Sequence, residues 1–98
     1  MSLDSETINE AMDFAIKAKG YTFVLVNCIR SYGPDSRWTD KIKEEQAESE
    51  LGRYRKKVSE FVSEIDEKYS DVPTALELKK ILQEGLSRLE KVALPYVN

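Results

Sequence analysis

The sequence predicts an all-α protein, an antiparallel up-down-up bundle of three helices in which the first and second helices are long. Three observations support this. Apolar residues recur every three or four positions along most of the 98-residue chain, prolines at 34 and 73 interrupt the pattern, and no segment supplies the partner strands that an isolated strand would need. The interruptions are short, so we expect one domain over 1–98, with helices near 5–32, 36–69 and 74–94.

The first helix is expected to begin at Asp4 or Ser5, because either side chain can cap free backbone N–H groups. The segment Tyr21 to Ile29 has the β-branched and aromatic composition of a strand, but the periodicity across Gly20 favours one continuous helix. Its polar positions then form one stripe: Asn9, Asp13, Lys17, Gly20, Asn27 and Ser31. The opposite face is predicted to enter the core: Ile8, Met12, Ala15, Ile16, Phe23, Val26 and Ile29.

The link between the first two helices is predicted from turn residues. Gly33 is expected to adopt a left-handed helix cap, Pro34 to end the helix, and Asp35 or Ser36 to cap the next one. The core seam of the second helix is Leu51, Tyr54, Val58, Phe61, Ile65 and Tyr69.

Trp38 and Ile42 fall out of phase with that seam. Either the second helix begins near Asp35 and its first turns face away from the core seam, or Ser36–Glu45 is a separate short segment.

The third helix is predicted to open with a capping box formed by Thr74 and Glu77, and to end before Pro95. Gly85 lies within it and is expected to permit a close helix approach. Its length of about 21 residues is too short to cover the whole hairpin of the first two helices. Its buried face is predicted to be Leu78, Ile81, Leu82, Leu86, Leu89 and Val92, and the core is expected to include Val58, Phe61, Ile65, Leu82 and Leu89.

Composition argues against most enzyme chemistry. The chain has no histidine, and its densest carboxylates, Glu44, Glu45, Glu48 and Glu50, lie on one polar stretch that is expected to be a solvated helix face. We therefore predict no catalytic residues, no cofactor and no metal site. The one cysteine requires no oxidising compartment, and no signal peptide or membrane anchor is expected, so the predicted location is the cytoplasm.

One basic cluster could suit nucleic acid, because Arg53, Arg55, Lys56 and Lys57 surround Tyr54. Glutamates precede and follow the cluster, which suits intrahelical ion pairs such as Lys56 with Glu60. With a net charge of −3, we expect nucleic acid to be an unlikely partner.

A second candidate surface lies at the hairpin end that the third helix is expected to leave uncovered. If both helices are continuous, Val24 and Cys28 lie outside the core face of the first helix. Trp38 and Ile42 then lie outside the core face of the second helix. Exposed apolar clusters containing tryptophan are typical of association surfaces. The four residues are therefore predicted either to bind a partner, most simply a second copy in a homodimer, or to form a small satellite core.

The leading hypothesis is a non-catalytic helical protein-interaction module, such as an adaptor, an assembly factor, a toxin-neutralising protein or a self-associating bundle. The alternative is a nucleic-acid-associated regulator that uses the basic cluster, and a small helical enzyme comes third.

Overall fold

A computed structural model describes residues 5–97, with the side chain of residue 7 excepted. These residues form three α-helices, α1 (Ser5–Ser31), α2 (Asp40–Lys68) and α3 (Pro73–Ala93), and a short 3-10 helix, η1 (Leu94–Tyr96). The predicted three-helix bundle is confirmed, and it is elongated, measuring 53 × 21 × 15 Å. None of the described helices is both long and apolar enough to cross a bilayer.

Helix α1 runs unbroken through Gly20, as its periodicity predicted. The segment with strand-like composition is therefore helical, because tertiary packing outweighs its local propensity. Of the two predicted caps for this helix, Asp4 lies outside the described residues and Ser5 is the first helical residue.

Helix α2 begins at Asp40, between the starts that the two readings of the sequence predicted, since it begins after Asp35 and includes the second half of Ser36–Glu45. The Thr39 hydroxyl caps it by accepting a hydrogen bond from the Ile42 backbone N–H at 3.3 Å. Ser36 instead accepts a bond from the Trp38 N–H at 3.0 Å, which holds the connecting loop. The expected left-handed cap at Gly33 is wrong, since no described glycine has a positive φ.

Helix α3 begins one residue before the predicted start. Pro73 is its first residue and Val72 its N-cap, with no capping bond from a side chain, so the predicted Thr74–Glu77 capping box is wrong. The fixed φ of proline suits the first helical position, where its missing N–H costs nothing.

The core consists of two clusters along the bundle axis, joined by the half-buried side chains of Tyr21 and Leu86. Helix α3 approaches both other helices closely, whereas α1 and α2 meet largely through aromatic rings such as Phe14 and Phe61, 5.7 Å apart. The cluster near the start of α1 contains Phe14, Ala18, Val58, Ile65, Tyr69, Ala75, Leu78 and Leu82. The cluster near the interhelical loop contains Leu25, Cys28, Tyr32, Ala47, Leu51, Tyr54, Leu89 and Ala93.

The predicted core is confirmed for α2 and for most of α3, where Ile81 is instead 44% exposed. It is wrong for most of α1, where only Ala15 and Ile29 of the predicted residues are half-buried against the core. Val58, Ile65, Leu82 and Leu89 are buried, and Phe61 is half-buried. The five large α1 residues that were expected in the core are exposed: Ile8, Met12, Ile16, Phe23 and Val26. Helix α1 is apolar around most of its circumference, so its polar stripe does not determine which apolar side packs inward.

The side of α1 that packs inward is the one that carries small residues. Ala18 is fully buried, and Leu25 lies against Gly85 of α3. Small side chains allow two helix backbones to approach closely, which brings α3 onto this side rather than onto the bulkier one.

The far end of the hairpin is covered, contrary to expectation. The chain continues from α3 into η1, which packs against α2. The ring of Tyr96 lies 6.0 Å from that of Tyr32, and Trp38 packs in the same cluster.

Candidate protein interface

Five exposed side chains form one apolar surface on α1, which we call the α1 apolar face. The exposed fraction is 43% for Ile8, 58% for Met12, 68% for Ile16, 62% for Phe23 and 44% for Val26. Their spacings of four, four, seven and three place all five on one side of an α-helix, with the exposed Lys19 among them. The face is nearly opposite Phe14 and Leu25, which are buried. Helix α1 therefore has two apolar sides, and the bundle uses only one of them.

The α1 apolar face continues onto the groove between α1 and α3. One shallow depression of about 170 Å³ is lined by Ile8 and Met12 on α1 and by Val72 and Ala75 beside them. A second, of about 130 Å³, is lined by Val26 of α1 and by residues of α3 that include Ile81. Ile81 is itself 44% exposed, so the apolar surface extends across both helices.

This surface is large for a chain of 98 residues. A Phe side chain can bury roughly 150–250 Å², so five large side chains at about half exposure present several hundred Å². The largest apolar patch on a typical monomeric protein is roughly 300–600 Å² and is often functional. An apolar surface of several hundred Å² falls within that range.

The four residues of the predicted association surface do not form a single exposed patch. Val24 is 47% exposed and Ile42 is 37% exposed. Cys28 is buried, so its predicted position off the core face is wrong. Trp38 is half-buried, with its ring 5.5 Å from that of Tyr32 in an edge-to-face arrangement. Trp38 and Cys28 belong to the core cluster near the loop, and their predicted role in partner binding stays a prediction.

Cys28 takes part in a buried polar arrangement between α1 and α2. Its thiol donates a hydrogen bond to Glu50 Oε2 at 3.6 Å, and the same oxygen accepts one from Arg53 Nη2 at 2.7 Å. Burial, and then the charge of Glu50, raise the pKa of the Cys28 thiol to about 11. The thiol therefore stays protonated at neutral pH and is a poor nucleophile.

Three tyrosines surround this thiol. Burial raises the pKa of Tyr21, Tyr32 and Tyr54 to about 12, so all three are neutral at physiological pH. The Tyr32 hydroxyl is buried without a hydrogen-bond partner among the described residues. At neutral pH these three phenols and the thiol therefore do not themselves act as a general base.

The basic cluster lies on an exposed surface and is largely neutralised. Arg53 pairs with Glu50 at 2.7 Å, Arg55 with Glu90 at 3.2 Å, and Lys57 with Glu60 at 3.8 Å. The ion pair expected between Lys56 and Glu60 is not formed. Lys57 pairs with Glu60 instead.

Beside the basic cluster, α1 and α2 enclose an open groove of about 420 Å³, lined by Tyr21, Val24, Arg53, Tyr54, Lys56, Lys57 and Glu60. The groove brings together residues of both surfaces predicted from the sequence.

The α1 apolar face was missed because every one of its residues was assigned to the core. The signal was present in the sequence, since a helix with apolar residues on most of its circumference requires neighbours on more than one side. A bundle of three helices supplies α1 with neighbours on one side only.

No cluster of three or more His, Cys, Asp or Glu side chains in residues 5–97 has an arrangement that could hold a metal ion. The chain matches no protein-family model, no curated protein and no solved structure. The functional argument therefore rests on the surface of the molecule.

Proposed function

We propose that this protein is a non-catalytic helical interaction module that binds an apolar protein surface through the α1 apolar face. The observation that carries this proposal is the exposure of five large apolar side chains on one side of a helix, Phe23 and Ile16 being the most exposed. Aromatic and aliphatic side chains clustered in this way are typical anchors of protein interfaces.

The α1 apolar face can supply useful binding energy. Burial of apolar surface is worth roughly 25 cal/mol per Å², so several hundred Å² supply on the order of 10 kcal/mol before the costs of association. Association itself costs roughly 4–15 kcal/mol, so the net affinity depends on how well the partner fits.

The alternative function, nucleic-acid binding through Arg53, Arg55, Lys56 and Lys57, has less support. Three of these four cations have carboxylate partners within 4 Å, and each pair would have to open or be shared before a phosphate could bind. We expect no salt-sensitive binding to duplex DNA or RNA in a gel shift at low salt. Tight binding that is lost when all four residues are changed to Glu would make this alternative the leading function.

A non-catalytic role fits the protonated thiol at Cys28 and the absence of histidine from the sequence. A cytoplasmic location fits a single cysteine that is buried as a free thiol.

The proposal is tested by placing a photo-crosslinking phenylalanine analogue at Phe23 and illuminating cells that produce the protein. We expect a covalent adduct with a protein, because Phe23 would lie inside the complex. The matched control carries the analogue at Glu67, an exposed position on α2 away from the α1 apolar face. Adducts at Phe23 that are no more abundant than those at Glu67 would refute the proposed function.

A further inference from the structure

We infer that the open groove between α1 and α2 binds a small molecule in which an apolar body, aromatic or aliphatic, carries a single carboxylate. This site lies on a different side of α1 from the α1 apolar face, and it goes beyond the proposed function. Three observations carry the inference: a short apolar floor, an arginine held in place by a mostly buried carboxylate, and one uncompensated positive charge beside the groove.

The floor of the groove is apolar. Tyr21 and Val24 line it from α1 and Tyr54 lines it from α2, and the rings of the two tyrosines lie 5.7 Å apart. Val24 is exposed, so this floor is open to a ligand. The volume of about 420 Å³ falls within the roughly 300–1,000 Å³ that is usual for small-molecule sites.

The apolar floor is also short. Towards the start of α1, the space between the two helices continues as a second depression that shares Lys57 with the groove. The lining of this second depression includes six charged side chains: Glu10, Asp13, Lys17, Lys57, Glu64 and Lys68. An apolar ligand therefore fits only over the length of a few side chains, which favours a small molecule over a long peptide segment.

Arg53 is held beside this floor by Glu50. The side chain of Glu50 is only 13% exposed, and its Oε2 accepts hydrogen bonds from Arg53 Nη2 at 2.7 Å and from the Cys28 thiol at 3.6 Å. The guanidinium group also lies 5.1 Å from the centre of the Tyr54 ring. A guanidinium has five N–H donors, and the hydrogen bond to Glu50 uses one of them. Arg53 can therefore bind a second carboxylate without leaving Glu50, and it loses little side-chain freedom in doing so.

The charges beside the groove leave one positive charge uncompensated. Of the three cations that line it, Arg53 pairs with Glu50 and Lys57 pairs with Glu60. Lys56 is exposed and forms no ion pair within residues 5–97. Arg53 and Lys56 lie three residues apart on one side of α2, so a single carboxylate can contact both. One carboxylate balances the charge of Lys56, whereas a polyanion would require the two existing pairs to open.

The first experiment titrates the isotope-labelled protein with naphthylacetate and follows the backbone amide signals by NMR. We expect the signals of Tyr21, Val24 and Tyr54 to shift saturably, with a dissociation constant of about 1 mM or below. The matched ligand is naphthylacetamide, which has nearly the same shape and no charge. It should bind at least about tenfold more weakly, because it cannot pair with Lys56 and Arg53. Equal affinity for the two ligands would overturn the inference.

A second experiment removes the uncompensated charge. Lys56→Met keeps an unbranched stem of similar length and should weaken the binding of naphthylacetate at least about fivefold, while the affinity for naphthylacetamide stays unchanged. The matched control is Lys80→Met, because Lys80 is an exposed lysine on α3 that lies outside the groove. It should bind both ligands as the wild-type protein does. Equal losses of naphthylacetate affinity in the two variants would overturn the inference.

The outcomes separate this inference from the proposed function. Signals that do not shift at ten times the expected dissociation constant would overturn the inference, and so would shifts centred on Ile16 and Phe23 of the α1 apolar face. Neither result bears on whether Phe23 crosslinks to a protein in cells. Selective binding of naphthylacetate in the groove would support the inference even if that crosslinking failed.

Discussion

Gly85 of α3 lies against the side chain of Leu25 on α1, so closely that a methyl group on Gly85 would come 2.5 Å from Leu25 Cδ2. Leu25 is 1% exposed, and its Cγ would lie 3.3 Å from the added methyl group, so the whole side chain would have to shift. We therefore expect Gly85→Ala to lower the free energy of unfolding by roughly 1–3 kcal/mol, despite the better helix propensity of alanine. Urea denaturation followed by circular dichroism measures this change.

The matched control is Gly52→Ala. Gly52 lies inside α2, and a side chain there would meet nothing within 4 Å. Alanine at this position should stabilise the protein by roughly 0.5–1 kcal/mol through helix propensity alone. Equal effects at the two glycines would mean that α1 and α3 are not in close contact at Gly85.

Lys43 anchors the loop between α1 and α2. Its ammonium group donates a hydrogen bond to the Gly33 carbonyl at 3.2 Å and lies 5.4 Å from the centre of the Tyr96 ring, and the residue is only 6% exposed. We expect Lys43→Met to destabilise the protein by about 1 kcal/mol or more, since it keeps the stem but removes the charged donor. The fluorescence of Trp38 should shift to longer wavelength as the loop loosens.

Lys41→Met provides the comparison, because Lys41 is exposed two residues earlier on α2. It should change the free energy of unfolding by less than about 0.5 kcal/mol. A similar loss in both variants would argue against an anchoring role for Lys43.

Stability should fall at alkaline pH. The pKa of Cys28 rises from 9.0 to about 11 on folding, so above pH 9 the unfolded chain loses a proton that the folded chain retains. Loss of protons from the unfolded state alone lowers the free energy of unfolding. The three tyrosines add the same effect from pH 10 towards 12. The melting temperature between pH 8 and 11 should therefore decline from about pH 9.

Cys28→Ala separates the thiol from the phenols. Without the thiol, the decline should begin near pH 10, the ordinary pKa of tyrosine. A wild-type melting temperature that is constant up to pH 10 would contradict the raised pKa of Cys28.

Two leucines of α3 differ sharply in burial. Leu82 is fully buried, whereas Leu76 is 44% exposed. Leu82→Ala should lower the free energy of unfolding by roughly 2–5 kcal/mol, because it leaves a cavity in the core, and Leu76→Ala by less than about 1 kcal/mol. Denaturant midpoints of the two variants test this, and a loss for Leu76→Ala as large as that for Leu82→Ala would contradict the observed packing of α3.

Periodicity predicted the helices better than it predicted their packing. The seams of α2 and α3 each form a narrow apolar stripe, so burial of Ile65 and Leu89 followed directly from spacing. Helix α1 has a wide apolar arc, and the position of α3 on it depends on the fit between Leu25 and Gly85, which spacing along one helix does not contain.

The positions of the helix ends could also be predicted only in part from the sequence. Several residues near residue 36 can cap a helix. The choice of Thr39 depends on how the loop packs, including the hydrogen bond that the Trp38 backbone N–H donates to the Ser36 hydroxyl. The end of the α1–α2 hairpin near the loop is covered by η1 and Tyr96. The sequence predicted only that α3 ends before Pro95, and not how the residues after it pack. The exposure of the α1 apolar face follows only when the wide apolar arc of α1 is combined with the number of neighbours that the bundle gives this helix.

The central position of α3 also determines the order in which parts of the molecule open. Helices α2 and α3 are adjacent in sequence and pack directly, whereas α1 must close a long chain segment to reach α3. Hydrogen exchange should therefore show α1 as a unit that detaches before the α2–α3 hairpin. A detached α1 would expose apolar residues on both of its sides, and such a helix is prone to aggregate. Any partner that holds the outer side of α1 would suppress this opening and lengthen the lifetime of the folded chain.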